Sequence, residues 1–413
     1  MRSTPRWLKA LLVGQAVSAA GALAWIYLTL YLVVQRGLRP HTAGLVAAAY
    51  GVGLVAGNLG GGSAGDRFGF KPALAAALAA WAAGCLAMPV TPTAALAPVG
   101  AAAGLSAGAI RPLMFSLVIA ALPAEHRREG VARSRAATNA GTVIGPPLGG
   151  LLAAADFAAV FLVDAVATLV LLAVVLAWVP AAGRDAGLLE RPRGILRALR
   201  TDRRLRLLLG SVLAVDTVYR LLYSVVPLLL HDLRAPAWVY GSTISLNCAV
   251  IVICEPRIAR RLSRRPAFGV IAAGYALVGL GFLGLGVSPA VATVFAAVLV
   301  VTAGEMLYKP TATAQAADLA RPGMTGRYQS LYAGASVAGT LLSPLLGTAL
   351  YEAAPRLVWP CAALVALLAG ALVALRSGRV AVVDGERVAV GVAEDRLLAH
   401  AAVDDARDEL DSP

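Results

Sequence analysis

Glu305 and Lys309 stand four residues apart, acid first, in a stretch from 290 to 317 that carries no other charge. Asp216 and Arg220 repeat that spacing in the apolar stretch from 205 to 231. On a helix, positions i and i+4 share a face, so each pair can neutralise itself. Two readings follow. The pairs can be internal ion pairs that hold a helical bundle together, or each carboxylate can take up and release a proton as its surroundings change, with its cation setting the balance. The second reading places Glu305 first and Asp216 next as proton-coupling residues, with Lys309 and Arg220 as charge partners. Arg111 is a third ionisable residue inside an apolar stretch, from 94 to 122. Its roles are proton coupling, balancing substrate charge, or bonding to backbone carbonyls. Asp164 and Glu255 are weaker candidates of the same kind.

Other chemistries lack their residues. The run Gly57-Asn58-Leu59-Gly60-Gly61-Gly62 has no following Gly-Lys-Ser/Thr and is no phosphate loop. His41, His126, His231 and His400 all fall outside the depth of an apolar stretch, so no metal site is expected. Cys85, Cys248, Cys254 and Cys361 lie in apolar runs with no paired spacing, which fits small buried residues. No nucleophile and base occur together at depth, so neither an enzyme nor a cofactor is expected.

The elements that must position these charges are long. Of 413 residues, 59% are hydrophobic and 14% charged, far from the roughly 25% charged of a soluble domain. Twelve apolar runs are long enough to cross about 30 Å of hydrocarbon. They cover 8–34, 42–64, 72–90, 94–122, 130–154, 157–179, 205–231, 237–258, 266–287, 290–317, 326–351 and 357–375. Continuous runs of this length predict helices rather than barrel strands, hence an all-α integral membrane protein. The first run follows Arg2, Arg6 and Lys9 as a secretory signal would, but it continues to Leu32 and reads as a retained helix.

The net charge of +13 is distributed unevenly. Arg36, Arg39, Arg234 and Arg356 fall in loops after odd-numbered spans, and Arg111, Arg220 and Lys309 fall within spans. The remaining lysines and arginines occupy both ends of the chain and the loops after even-numbered spans. Positive charge of this pattern predicts both termini in the cytoplasm and explains the basic balance without a nucleic-acid partner. The segment 180–204 separates six spans (1–179) from six (205–375) and reads as a basic cytoplasmic linker. Residues 376–413 carry nine acids and five arginines and read as a polar cytoplasmic tail, too small for a signalling domain.

The halves repeat. Arg111-Pro112 corresponds to Lys309-Pro310, and Gly141, Pro146 and Gly149 correspond to Gly339, Pro344 and Gly347, all 198 residues apart. Lys71-Pro72-Ala73 corresponds to Arg265-Pro266-Ala267 at an offset of 194. Six spans per copy make the halves parallel, two six-helix bundles related by a pseudo-two-fold axis along the membrane normal with a cavity between them.

Two motifs complete the pattern. Residues 62–71 read GxxxDRxGxK, and residues 141–150 read GxxxGPxxGG. With these the chain resembles the major facilitator superfamily, and within it the twelve-helix drug:proton antiporters of multidrug efflux, over about residues 5–375. The resemblance implies a gating role for Asp66, Arg67 and Lys71, as a latch between the halves. It marks Gly141, Gly145, Pro146, Gly149 and Gly150 as the antiporter motif, where glycines allow close helix packing and the proline a bendable point. The second copy of the loop motif, 257–265, has no aspartate, so gating by that copy is not expected. The resemblance also implies a buried arginine at Arg111 and a helix 10 feature at Gly304-Glu305.

Trp25, Tyr27, Asn139, Tyr223, Asn247 and Tyr332 supply aromatic faces and polar handles for lining a cavity. The expected protein is a secondary transporter that exports small amphipathic molecules by alternating access, driven by the proton gradient. The alternative is a facilitator or importer of a specific metabolite on the same fold. Partners are the lipid bilayer, the solute and protons, with the chain acting as a monomer in a bacterial plasma membrane. The 33 arginines against three lysines fit a GC-rich bacterial genome.

Overall fold

The computed structural model describes residues 5–122, 127–180, 200, 202–262, 265–320 and 325–375, all of them helical or in short connections. The linker expected at 180–204 lies almost wholly outside the described residues, as does the tail from 376. We number the long helical segments α1 to α12. The first half holds α1 (Arg6–Val34), α2 (Pro40–Phe68), α3 (Phe70–Ala87), α4 (Leu96–Ala121), α5 (Arg127–Ala155) and α6 (Phe157–Trp178). The second holds α7 (Arg203–Asp232), α8 (Ala237–Leu262), α9 (Ala267–Val287), α10 (Val291–Asp318), α11 (Thr325–Ala353) and α12 (Pro355–Leu375). Eleven segments among the described residues are long and apolar enough to cross a membrane. The exception is α5, a 29-residue helix whose first turns carry Arg127, Arg128, Glu129, Arg133 and Arg135.

Two helices expected to be continuous are broken. In α1 the helix stops at Gly21 and restarts at Ala24. In α7 it is interrupted after Tyr219 and again at Val225. Pro227 lacks the N–H that would bond to the Tyr223 carbonyl, which accounts for the second interruption. Irregular backbone at membrane depth is tolerated where protein encloses it, and both breaks lie among buried neighbours such as Leu23, Ala24, Leu221 and Leu222.

The halves correspond helix for helix. Gly141 on α5 packs on Ala16, Ala19 and Ala20 of α1, while Gly339 on α11 packs on Asp216 and Thr217 of α7. Gly149 lies against Leu23 and Tyr27, and Gly347 against Leu221 and Val225. The bundles meet through α2 with α11 and α5 with α8. Here too the contacts pair: Gly241 sits on the Pro146 carbonyl and Gly44 on the Pro344 carbonyl, with no room for a Cβ at either. Leu162, Val166, Leu169, Leu364, Leu368 and Leu372 are exposed along α6 and α12, the outward faces that meet lipid.

We call the side holding the loops after even-numbered helices the basic face and the other the far face. Three hydrogen bonds between the halves lie from mid-depth to the far face. The His41 N–H donates to Glu352 Oε2 at 2.7 Å, Tyr240 OH to the Ile26 carbonyl at 3.1 Å, and Ser245 Oγ to the Val143 carbonyl at 2.7 Å. The last has a cause in sequence: Pro147 has no N–H to offer Val143 four residues earlier, so the freed carbonyl takes its donor from α8.

Candidate substrate and proton-coupling site

The second half gathers its charges on α7, α8 and α10. Glu305 is 6% exposed. Its Oε1 accepts from Lys309 Nζ at 2.7 Å, and its Oε2 accepts from Asn247 Nδ2 at 3.0 Å. The helix spacing that the sequence supplied does form an ion pair, and α8 contributes a further donor. Asn247 Nδ2 also donates to Thr302 Oγ1 at 2.9 Å, which fixes the amide. The Lys309 ammonium lies 3.7 Å from the centre of the Tyr219 ring, so its charge is shared between a carboxylate and an aromatic face. Tyr332 OH donates to the Lys309 carbonyl at 3.3 Å. Asn247 and Tyr332 therefore hold the Glu305–Lys309 pair in place.

Asp216 and Arg220 do not form the expected pair. Asp216 is 1% exposed, its Oδ1 accepts from Tyr308 OH on α10, and its Oδ2 is buried without a partner. Arg220 Nε is likewise buried without a partner, and its guanidinium lies 5.8 Å from the Tyr223 ring. The reason is the break in α7: Arg220 is the residue at which the first segment ends, and its side chain follows the turn toward Tyr223. Glu255 is partly buried near the basic end of α8.

The first half encloses a cavity of about 460 Å³ between α1 and α6, lined by residues that include Trp25, Tyr50, Trp81, Arg111, Asn139 and Asp164. Trp25 and Asn139 line this cavity. Tyr27 does not: it is fully buried, and its OH donates to the Pro146 carbonyl at 2.6 Å, because α5 approaches α1 too closely for a tyrosine to turn elsewhere. Its ring meets Tyr240 edge-on at 5.4 Å, across the halves. Arg111 is exposed in the wall, 5.6 Å from the Phe115 ring.

Asp164 has a larger structural part than its sequence context indicated. Its Oδ2 accepts from the N–H groups of Leu23 at 3.0 Å and Ala24 at 2.9 Å, the two amides exposed by the break in α1. Its Oδ1 accepts from Trp81 Nε1 at 3.0 Å and Thr168 Oγ1 at 3.4 Å. The carboxylate therefore joins α1, α3 and α6 and caps the second segment of α1 from 140 residues away. The signal available in sequence was Gly21 followed by Ala22-Leu23 in α1, a weak site for continuing a helix, but nothing in sequence connects it to Asp164.

In the loop motif, Gly69 has φ +93°, which permits the tight turn from α2 into α3. Lys71 Nζ donates to the carbonyls of Leu176 at 3.0 Å and Val179 at 2.7 Å, capping the end of α6 within its own half. Arg67 is exposed, 5.3 Å from the Phe68 ring, and the side chain of Asp66 lies outside the described residues. In this conformation Lys71 is engaged inside its bundle rather than across the halves. The GxxxGPxxGG sequence lies where α5 touches two helices: Gly141, Gly145 and Gly149 face α1, and Gly150 faces Ala237 and Trp238 at the start of α8. The sites occupied by these glycines leave no space for a side chain.

Residues 11–344 match the family model described as Major Facilitator Superfamily. The chain belongs to this superfamily. A relative from Bacillus subtilis (strain 168), named Uncharacterized MFS-type transporter YttB, is 24% identical over 366 residues, which cover 84% of this chain and 89% of that protein. Among solved structures, a mutant of the peptide transporter POT in complex with sulfate superposes with TM-score 0.77 at 17% identity, covering 92% of this chain and 96% of the other. A mutant of the nucleoside transporter NupG gives TM-score 0.75 at 13% identity, covering 90% and 98%. Both likenesses are of fold. The twelve-helix, two-bundle architecture is that of the superfamily, and the protein is a multi-pass membrane transporter.

Proposed function

We propose that this transporter exports small amphipathic molecules in exchange for protons, with Glu305 as the principal proton-coupling residue. The observation that carries the reading is the Glu305 cluster: a carboxylate almost wholly buried at membrane depth, paired with Lys309 and held by Asn247. A buried ion pair contributes little net stability, so its burial at membrane depth is better accounted for by work than by packing. The complete GxxxGPxxGG sequence in α5 supports export. The basic face is cytoplasmic in this reading, and the meeting of the halves toward the far face makes the present conformation inward-facing. Protonation from outside and deprotonation inside, tied to which side the bundles open, convert the gradient into export. Asp66 and Arg67 act as gating residues in the opposite conformation, while Asp216 and Arg111 assist coupling. The protein works as a monomer in a bacterial plasma membrane with both termini inside, with the proton gradient as its energy source and no cofactor.

The test uses proteoliposomes with an imposed pH gradient, with internal pH followed as a panel of amphipathic compounds is added. Proton movement that depends on substrate and disappears in Glu305→Gln is expected. Substrate flux with no proton movement would replace antiport by the alternative, a facilitator or importer, which the fold likeness to transporters of peptides and nucleosides favours.

A further inference from the structure

The first and last helices of each half are joined by different means. The 198-residue register of the repeat extends to these helices: Gly149 lies against Leu23 and Tyr27 of α1, and Gly347 against their counterparts Leu221 and Val225 of α7. The starts of α6 and α12, Phe157 and Pro355, keep the same offset. On that register Asp164, whose carboxylate ties α6 to α1, corresponds to Ala362. Gly14, which lies against Leu171 and Val174, corresponds to Val212; Gly21, with no room for a Cβ beside Ala167, corresponds to Tyr219. Neither the carboxylate clasp nor the glycine contacts carry over to the second half.

Where the clasp is missing, a groove of about 350 Å³ runs between α7, α11 and α12. One end is at Leu350 and Val358, each three residues from the far ends of α11 and α12. The other is at Gly210, about 10 Å along α7 from its basic end by helical rise. A Cβ at Gly210 would meet no atom within 4 Å, whereas its counterpart Leu12 packs on the core of the first half. Leu346, Cys361 and Val365 at the rim are exposed, and they continue the face of α12 on which Leu364 and Leu368 meet lipid.

The lining selects the occupant. It includes no charged residue, and its two hydroxyls are bonded within the protein: Thr217 Oγ1 donates to the Leu213 carbonyl at 2.7 Å, and Ser343 Oγ bonds to Ser224 Oγ at 3.1 Å. A polar head would find no partner here. In hydrocarbon, packing contacts rather than the hydrophobic effect drive association, and an open groove forfeits them. A long apolar chain recovers them.

We infer that this groove holds one acyl chain of a far-leaflet lipid, its ester end beside Leu350 and Val358 and its terminal methyl toward Gly210. The chain takes the place between first and last helices that Asp164 and the glycines fill in the other half. The inference draws on the membrane fold alone and stands whether or not transport is coupled to protons.

Photocrosslinking of the full chain tests it, in nanodiscs of phosphatidylethanolamine and phosphatidylglycerol. A small fraction of the phosphatidylglycerol carries a diazirine, in one probe at the terminal acyl carbon and in another next to the ester, and mass spectrometry maps the adducts. The terminal probe should label Gly210, Ala214 and Val365 about tenfold more than Leu169 and Val170 on the exposed face of α6, and saturably. The ester-end probe should label the groove at Leu350 and Val358. Gly210→Leu, which fills open space, should lower the terminal-probe yield to the level on α6. If that variant does not fold, Cys361→Phe at the rim should do the same. Labelling that rises linearly with probe fraction at the α6 level, the opposite order of the two probes, or yields unchanged in both variants overturns the proposal. So does displacement of the label by a water-soluble amphipathic compound, which would give the groove to the solute.

Discussion

The two halves share a fold and place buried carboxylates near the breaks in their first helices, yet they use those carboxylates differently. In the first half Asp164 has both oxygens occupied by four donors from α1, α3 and α6. In the second half Asp216 holds one hydroxyl and leaves Oδ2 unpartnered, while Glu305 binds a lysine and an amide that each have other partners. A saturated carboxylate is a fixed part of the wall. A partly satisfied one can change partners. The difference teaches that internal repetition preserves helix packing and lets the polar groups diverge, with a saturated carboxylate in one half and partly satisfied ones in the other, the half to which the proposed function gives proton exchange.

The comparison breaks most visibly at Asp164. Asp164→Ala strands the Ala24 amide and the Trp81 indole N–H in a buried site and leaves the Leu23 amide only its bond to the Gly21 carbonyl, and the expected loss is about 3 to 5 kcal/mol of stability. Thermal and denaturant unfolding in nanodiscs measure it. A loss below about 1 kcal/mol would mean that water or relaxed backbone serves those donors, and that Asp164 is not the clasp described here.

Glu305→Gln should invert the pattern. Gln keeps the shape and can still bond to Asn247, so stability should change by no more than about 1 kcal/mol. Gradient-driven transport should fall by about a hundredfold or more, equivalent to about 2.7 kcal/mol. Unchanged transport would take Glu305 out of the coupling mechanism and return the pair with Lys309 to a structural part.

Asp216→Asn sharpens the contrast within the second half. With only the Tyr308 hydroxyl bonded to it, the side chain should cost about 1 kcal/mol of stability when replaced, well below the effect at Asp164. A loss as large as that of Asp164→Ala would show that the orphaned oxygen has a partner in the membrane-embedded protein, and the proposed division between the halves would fail.

How much of this was legible beforehand depends on the range of each interaction. The helices, their pairing into halves and the Glu305–Lys309 pair follow from apolar run length, a repeat at an offset of 198 and an i, i+4 spacing, all of which are patterns a single sequence displays. The same rule failed for Asp216 and Arg220, because the turn at Arg220 redirects its side chain and Tyr308, 92 residues away, supplies the partner. Asp164 is underrated for the same reason: three of its four donors lie 83 to 141 residues distant. Tyr27 has the composition of a cavity residue, but the glycines of α5 bring its hydroxyl to Pro146 instead. Long-range polar contacts between helices leave no periodic signal in a single sequence.

The smallest expected effect concerns the contact between the halves, and it separates the two interfaces. Where α5 meets α8, Pro147 frees the Val143 carbonyl, and Ser245 bonds to it across the interface. Where α2 meets α11, the corresponding approach is made by Gly44 on Pro344, and Thr348 of the same helix already bonds to that carbonyl at 2.6 Å. Ser245→Ala therefore removes a bond between the halves, and on the rocking motion proposed above it should weaken the state closed at the far face by about 1 kcal/mol. This shifts the balance between conformations about fivefold toward opening at the far face. Spin labels at Arg39 and Arg356, in a variant free of the four native cysteines, would report a larger population of long distances. Thr348→Ala, which removes a bond within one helix and keeps the Cβ that faces Gly44, should shift the distribution less than Ser245→Ala. Equal effects from the two substitutions would mean that the closed state is held by glycine packing alone, and that the proline-freed carbonyl plays no part in the switch.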